Sequence, residues 1–288
     1  MKMLIKRNLL LFFRDKTNVL FSMLAALITI VLFVLFLADL MVDGMEYHMP
    51  FVNVSDIRLI VSGLVLSGTI AVSTVSTCLG AISRMVIDKE NAAKDFFVSP
   101  ISRTKLMFSY VVSSGIISFI MSGITMIMTI VYLTIVGGSF PSITNLALLT
   151  LTLFLAVLSG NSMMLLVICF VKSRNAIGSL GTIVGTLIGF LTGVYIAIGQ
   201  LPDAVGWAIR LFPTSHAASM FRQLLAGNTL NNLGVPAEFV DFYNEFYGIT
   251  FSFGTFTTDF FFSALFLIGT SVIFYSIALC LAKRQSFE

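Results

Sequence analysis

The sequence has little charge. Asp, Glu, Lys and Arg make up only 11% of its 288 residues, against about 25% in soluble domains, and this excludes an ordinary water-soluble globular protein. Cysteine is scarce as well. Cys78, Cys169 and Cys280 all stand in apolar runs, where a thiol is a small apolar filler, so no disulfide framework is implied. The two histidines, His48 and His216, lie apart and outside any H-E-x-x-H or other metal spacing. No G-x-x-x-x-G-K-[ST] occurs, so the chain has no P-loop to cradle a nucleotide. No G-x-S-x-G elbow occurs either, which argues against a membrane hydrolase. The centres of the apolar runs lack charged residues, a poor basis for a proton- or ion-coupled carrier.

What remains is apolar: 57% of residues are hydrophobic and the mean hydropathy is +1.00. A helix needs about 20 such residues to cross a bilayer, because its backbone must satisfy itself in lipid. Six runs qualify, near Val19 to Ala38, Arg58 to Ile82, Leu106 to Val136, Asn145 to Val171, Ile177 to Ile198 and Thr257 to Leu281. The expected fold class is therefore an all-α integral membrane protein with six transmembrane helices. The first run starts too late and is too long for a cleaved signal peptide. With both termini cytoplasmic, 14 of the 17 Lys and Arg fall inside, leaving Arg58, Arg210 and Arg222 outside. The outer segments carry nine acids from Asp39 to Asp259. The net charge of +3 thus hides a basic inner face and an acidic outer one, and no nucleic-acid partner is implied.

Residues 1–18 place Lys2, Lys6, Arg7 and Arg14 on one arc, with Leu4, Leu11 and Phe12 largely opposite. This predicts an interfacial helix on the inner membrane surface, its cations at lipid headgroups. In the second run, Ser62, Ser67, Thr69, Ser73, Thr74, Ser76 and Thr77 are dense for a lipid-facing surface. They either back-bond and pack against other helices or line a translocation path, for which Ser73 and Thr77 are the candidates. In the fifth run Gly181, Gly185, Gly189 and Gly193 recur at i+4. That spacing predicts one groove for close helix packing, within the subunit or across a dimer, and a helix little exposed to lipid.

Residues 199–256 hold no further full span. They are expected to form two short helices in, or dipping into, the outer leaflet. Trp207 is an interfacial anchor, Pro213 a break, Gly227 a C-cap, Pro236 a first helical residue and Gly248 a terminator. The second of these helices would carry Phe239, Phe242, Tyr243 and Phe246 on one face, with Glu238, Asp241 and Glu245 on another, a solvated row or a lure for a cationic substrate. Six phenylalanines from Phe251 to Phe262 then form an aromatic collar or an outer gate, with Phe256 and Phe260 the gate candidates. Asp259 among them must find a partner or water.

Between the second and third runs, residues 84–98 read as a charged helix, with Glu90 and Lys94 at i, i+4. Ser99 is an N-cap and Pro100 a first residue for the next helix. The adjacent Phe96 and Phe97 either sink into the interface or dock on a partner.

DKENAAKDFFVSPISRTKL, residues 88–106, resembles the segment between the second and third helices of ABC-2 type transporter permeases. The basic N-terminal helix, the six spans, and Leu201, Pro202, Trp207, Pro213, Arg222, Leu224 and Leu225 before the last span also resemble that family. Asn91 to Ala93 depart from it, where many members carry Gly-Thr. The resemblance implies one transmembrane domain over residues 1–288, the membrane half of an ABC exporter in a bacterial plasma membrane. Residues 84–98 would be a coupling helix seated in a separate cytoplasmic ATPase, with Glu90, Lys94, Phe96 and Phe97 at the contact and Arg7 and Arg14 flanking it. Gly181, Gly185, Gly189 and Gly193 would face a second permease copy or a homologous permease. Ser73, Thr77, Phe256 and Phe260 would border the path and gate. The chain itself would carry no cofactor, metal or catalytic residue, ATP and Mg being bound by the partner. The implied cargo is an amphipathic or hydrophobic molecule such as a peptide, drug or lipid-linked compound. The alternative is an ATP-independent carrier or channel.

Overall fold

Apolar runs of this length satisfy their peptide groups in lipid only by coiling, and the computed structural model is built almost wholly of helices. It describes residues 1–90, 103–231, 237–254 and 256–284. The expected Lys94, Phe96 and Phe97 contacts, the Ser99–Pro100 turn, the departure at Asn91 to Ala93 and the Pro236 helix start lie outside the described residues.

Helix α1 covers Lys2–Arg14. The chain turns at Asp15, whose carboxylate accepts the Asn18 amide at 3.0 Å and so caps α2, Lys16–Leu32. A π-helical turn at Phe33–Leu37 leads without a break into α3, Ala38–His48. The first span is thus longer than expected, because Asp39, Asp43 and Glu46 end the apolar run and not the helix. Its bulged turn seats Phe33, fully buried, edge-on to Tyr132.

Helix α4, Val54–Ile82, continues helically to Glu90. It is the hub: 89% of its most apolar window is buried. Around it pack α2, α3, α5 (Arg103–Ile135), α6 (Ile143–Ile168) and α7 (Arg174–Leu191). Ser142 caps α6 by accepting the Asn145 amide, and Ser173 caps α7 by accepting that of Ala176.

Helix α7 is shorter than the expected span Ile177 to Ile198. It stops at Leu191 because Gly193 takes φ +64, a left-handed conformation that ends helices and costs glycine little. The apolar run continues as a turn and a single 3-10 turn at Ile198–Gln200.

The segment that follows is more elaborate than two surface helices. Helix α8, Asp203–Leu211, is followed at once by α9, Pro213–Arg222, so that the chain breaks at Pro213 as expected, with the proline at the first position of the new helix. Every residue of α9 is buried, against α4, α6 and α11 (Phe260–Arg284). It is an internal helix of the bundle, not an interfacial one. Gly227 is not a C-cap: Gln223–Gly227 is a second π-helical turn, and the helix runs on through Asn228–Asn231. Gly63 of α4 lets that turn approach closely, since a Cβ there would lie 3.0 Å from Leu225 O and from the Ala226 Cβ. Helix α10, Ala237–Phe246, ends at Gly248 (φ +66) as expected. A two-residue hairpin, β1 Ser252–Phe253 and β2 Phe256–Thr257, precedes α11, whose N-cap is Asp259 accepting the Phe262 amide at 2.7 Å. That bond is the partner the sequence demanded of Asp259.

Candidate functional site

At the end of the bundle where α1, residues 84–90 and the start of α5 meet, a buried carboxylate collects three partners. Asp88 is 4% exposed. It accepts hydrogen bonds from Arg7 of α1 at 2.9 Å and from the Tyr110 hydroxyl of α5 at 2.6 Å, and pairs with Arg84 one turn earlier at 3.1 Å. Burial alone lowers the Arg7 pKa, but the hydrogen bond and charge of Asp88 outweigh it and the pKa is raised. Asn8 donates to Ser113, and Phe12 packs on Ala81, Ile117 and Met121. Helix α1 is therefore fastened along α4 and α5 through its own apolar and polar groups. Arg14, in its last turn, is exposed.

Two residues further, Glu90 receives the backbone N–H of Arg174 at 2.8 Å and lies 3.9 Å from its guanidinium. A carboxylate is favoured there, where the first amides of α7 are unpaired and the helix dipole is positive. The last described residue before the 91–102 segment is thus tied to the beginning of α7. Sequence spacing suggested only a local partner for Glu90 at Lys94.

On α7 the four glycines do not share one role. Gly181 and Gly185 have nothing within 4 Å of an added Cβ. A Cβ at Gly189 would run into the ring of the chain's own Tyr195, and Gly193 stands beyond the helix end. The expected continuous groove is therefore half as long, because Tyr195 folds back over it. Only 11% of the apolar window of α7 is buried within the subunit. Packing inside the subunit does not cover Gly181 and Gly185, and the expectation of a helix little exposed fails for the single chain.

The hydroxyls of α4 divide likewise. Thr69, Ser73, Thr74 and Thr77 return hydrogen bonds to carbonyls three or four residues back, and Thr77 also meets Ser118 of α5 at 2.8 Å. Ser73 and Thr77 are fully buried between helices of one subunit. The side-chain oxygens of Ser62 and Ser67 are buried without a hydrogen-bond partner among the described residues.

At the opposite end Arg222 is the largest fully buried side chain. Its guanidinium donates to Leu64 O (3.2 Å), Thr192 O (2.5 Å), Gly193 O (3.0 Å) and Gly248 O (3.4 Å). An added Cβ at Gly68, Gly193 or Gly248 would come within 3.2 to 3.3 Å of this group, so three glycines make room for it. Burial lowers its pKa to about 10, which still leaves a cation at neutral pH. This one side chain joins α4, the end of α7, α9 and the exit of α10. Sequence reading placed Arg222 in an outer loop; its spacing from Pro213, one helix of ten residues, was the available signal.

His216 sits in the same region, flanked by Phe251 and Phe262 and stacked on Phe266 at 4.1 Å. A carbonyl can only accept, so Nε2 carries the proton and donates to Arg210 O at 2.8 Å, leaving Nδ1 to accept from Ser263 at 3.3 Å. Burial pushes its pKa down to about 4, so the ring is neutral. The gate candidates do not meet. Phe256 is half exposed and touches Phe262 edge-on, while Phe260 packs into the core. Trp207 is half exposed, with the Arg210 guanidinium 5.2 Å from its ring. Glu245 is no idle solvated acid: it pairs with Arg210 at 3.1 Å and accepts from Ser252. Arg58 pairs with Asp39 at 2.8 Å. Among the described residues no three His, Cys, Asp or Glu side chains gather in a way that could hold a metal ion.

Among the described residues six helices are long and apolar enough to cross a membrane, and a charged junction at Arg84, Asp88 and Glu90 ties the end of the second to α1 and α7. A comparison with curated proteins finds no match. The family model for ABC-2 type transporters matches residues 1–226, which takes in α1, the junction, the α7 face and Arg222. The chain is a multi-pass membrane protein and belongs to the ABC-2 type transporter family, as one of its transmembrane permeases.

Proposed function

We propose that the chain is the membrane half of an ATP-driven exporter, working with a separate cytoplasmic ATPase that binds ATP and Mg. The end carrying Arg7, Arg84, Lys89 and Arg174 faces the cytoplasm by the positive-inside rule, and both termini lie there. The observation that carries the reading is the tie between Glu90 and the start of α7. Residues 91–102 follow Glu90 directly and lead into α5. Asp88 holds α1 two residues earlier. Force applied to this segment by a docked ATPase reaches α1, α5 and α7 together. Phe96 and Phe97 supply the apolar contact, with Lys94 and Glu90 beside them and Arg7 and Arg14 at the flank.

The open face at Gly181 and Gly185 supports a second permease copy packed there, where small residues let backbones approach and gain dispersion contact. A path between two such copies would run along α7 and α4. Ser73 and Thr77 are bonded within the subunit, and they enter such a path only if α4 and α5 part. The aromatic cluster of Phe256, Phe262 and His216 closes the outer end, while Phe260 packs into the core. The cargo is amphipathic or hydrophobic, in keeping with the 28 Phe and 14 Met available to line an adaptable apolar route. Phe97→Asp tests the contact: the permease should stay in the membrane while the copurifying ATPase falls about tenfold or more. Full retention of the ATPase would rule out docking at Phe97.

A further inference from the structure

A groove of about 670 Å³ opens between α5, α6 and α11, walled by Phe108, Val112, Phe119, Phe154 and Leu279. It lies away from the open glycine face, since α7 packs chiefly against α4 and α9. Three features decide what can fill it.

The polar groups deep in its wall, Asn161 and Tyr275, already have partners. Asn161 donates to Val111 O at 2.8 Å and accepts from Ser114 at 2.9 Å, and the Tyr275 hydroxyl reaches Leu158 O at 3.5 Å. A polar solute entering the groove would lose its water and gain no partner, at a cost of roughly 2–7 kcal/mol per buried group. A hydrocarbon chain incurs no such cost.

Its length suits one leaflet. The lining runs along α5 from Thr104 to Ile120, a helical rise of about 24 Å. Half of a hydrocarbon core of about 30 Å is about 15 Å, so the groove can take the full length of an acyl chain with its headgroup left outside.

Its mouth is cationic. Thr104 and Lys105 are exposed at the start of α5. Lys105 shares a helix face with Phe108, Val112 and Phe119, at i+3, i+7 and i+14. It makes no ion pair with another described residue. A dry slot below a cation is the complement of an anionic phospholipid.

We propose that this groove holds one acyl chain of an anionic phospholipid from the leaflet at the basic end, with its phosphate at Lys105. The lipid is a resident of the subunit and not cargo. The site stands independently of the export reading.

The test is native mass spectrometry of the purified permease, in its complex where that forms, titrated with phosphatidylglycerol, phosphatidylcholine or glycerol phosphate. Phosphatidylglycerol carrying a photoreactive acyl chain maps the site. Phosphatidylglycerol should be retained about fivefold better than phosphatidylcholine, consistent with one surface cation. Lys105→Glu should erase that preference while leaving the tail-dependent binding, and Val112→Trp should lower binding of both lipids. Glycerol phosphate should not compete, which separates a whole lipid from a phosphate site. Crosslinks should fall on residues 104–120 and 275–279 of the unmodified chain, a readout that survives even if the filled variant misfolds. Crosslinks confined to other surfaces, undiminished retention in a folded Val112→Trp, or competition by glycerol phosphate would overturn the assignment.

Discussion

Replacing Arg222 by methionine keeps the length of the side chain and removes the cation, and its effect can be worked from the geometry. Leu64 O belongs to the interior of α4 and keeps its helical partner. Thr192, Gly193 and Gly248 lie in the turns after α7 and α10, and their carbonyls have the guanidinium as their donor. Leaving three buried carbonyls unpaired costs about 1–3 kcal/mol each, or roughly 3–9 kcal/mol. Against this stands the relief of several kcal/mol from no longer desolvating a cation. With about 6 kcal/mol for the three carbonyls and about 3 kcal/mol for the cation, the carbonyl side wins by about 3 kcal/mol. For 288 residues that is a fall of about 5 °C in Tm. The assay is thermal unfolding of the purified protein in detergent, followed by size exclusion of heated samples. Hydrogen exchange should rise at residues 192–199 and 247–250. Arg222→Lys should fall between, because a point-like ammonium cannot reach three divergent carbonyls. A Tm for Arg222→Met within about 2 °C of the parent, with unchanged exchange, would refute the reasoning.

Two further outcomes follow from the same structure. Leucine at Gly181 and Gly185 together should lower the dimer fraction in detergent without lowering Tm, whereas Gly189→Leu should lower Tm through its collision with Tyr195; mass photometry and unfolding curves separate the two, and unchanged dimer mass in the first variant would sink the interface. His216 titrates near 4 in the folded chain and near 6.5 unfolded. The unfolded state therefore binds the extra proton between those values, so stability is full above about pH 6.5 and falls as pH drops toward 4, by up to about 3 kcal/mol. His216→Gln should flatten that slope, and an identical pH profile in the variant would show that another group sets it.

The six spans were legible because lipid imposes length and hydropathy directly on sequence. Their ends were less so. Val54 opens its helix after the extended backbone of Asn53 and Leu191 closes its own before a left-handed glycine, and hydropathy records neither. Helix α9 was expected as a short helix in the outer leaflet, and its place inside the bundle was the larger surprise. PTSHAASMFR is too polar to register as membrane-buried, yet it is wholly buried, because small side chains and satisfied polar groups suit a helix surrounded by protein. The partners of Glu90 and Arg222 were also out of reach. Each joins residues far apart in the chain, 84 positions for Glu90 to Arg174 and 158 for Arg222 to Leu64, and no periodicity spans such distances. The break at Pro213 and the need of Asp259 for a partner, both local matters, were legible, though not that Asp259 would be an N-cap.

The central claim is that Glu90 passes movement of the ATPase-docking segment to α7, and the direct test is Glu90→Gln in the complex reconstituted in liposomes. Neutralising the carboxylate weakens a charge-assisted bond to the Arg174 amide by about 1.4 kcal/mol, a factor of about ten. The account predicts that the ATPase still copurifies and hydrolyses ATP while ATP-dependent export falls about tenfold. Export at the parental rate with the same ATP turnover would contradict it.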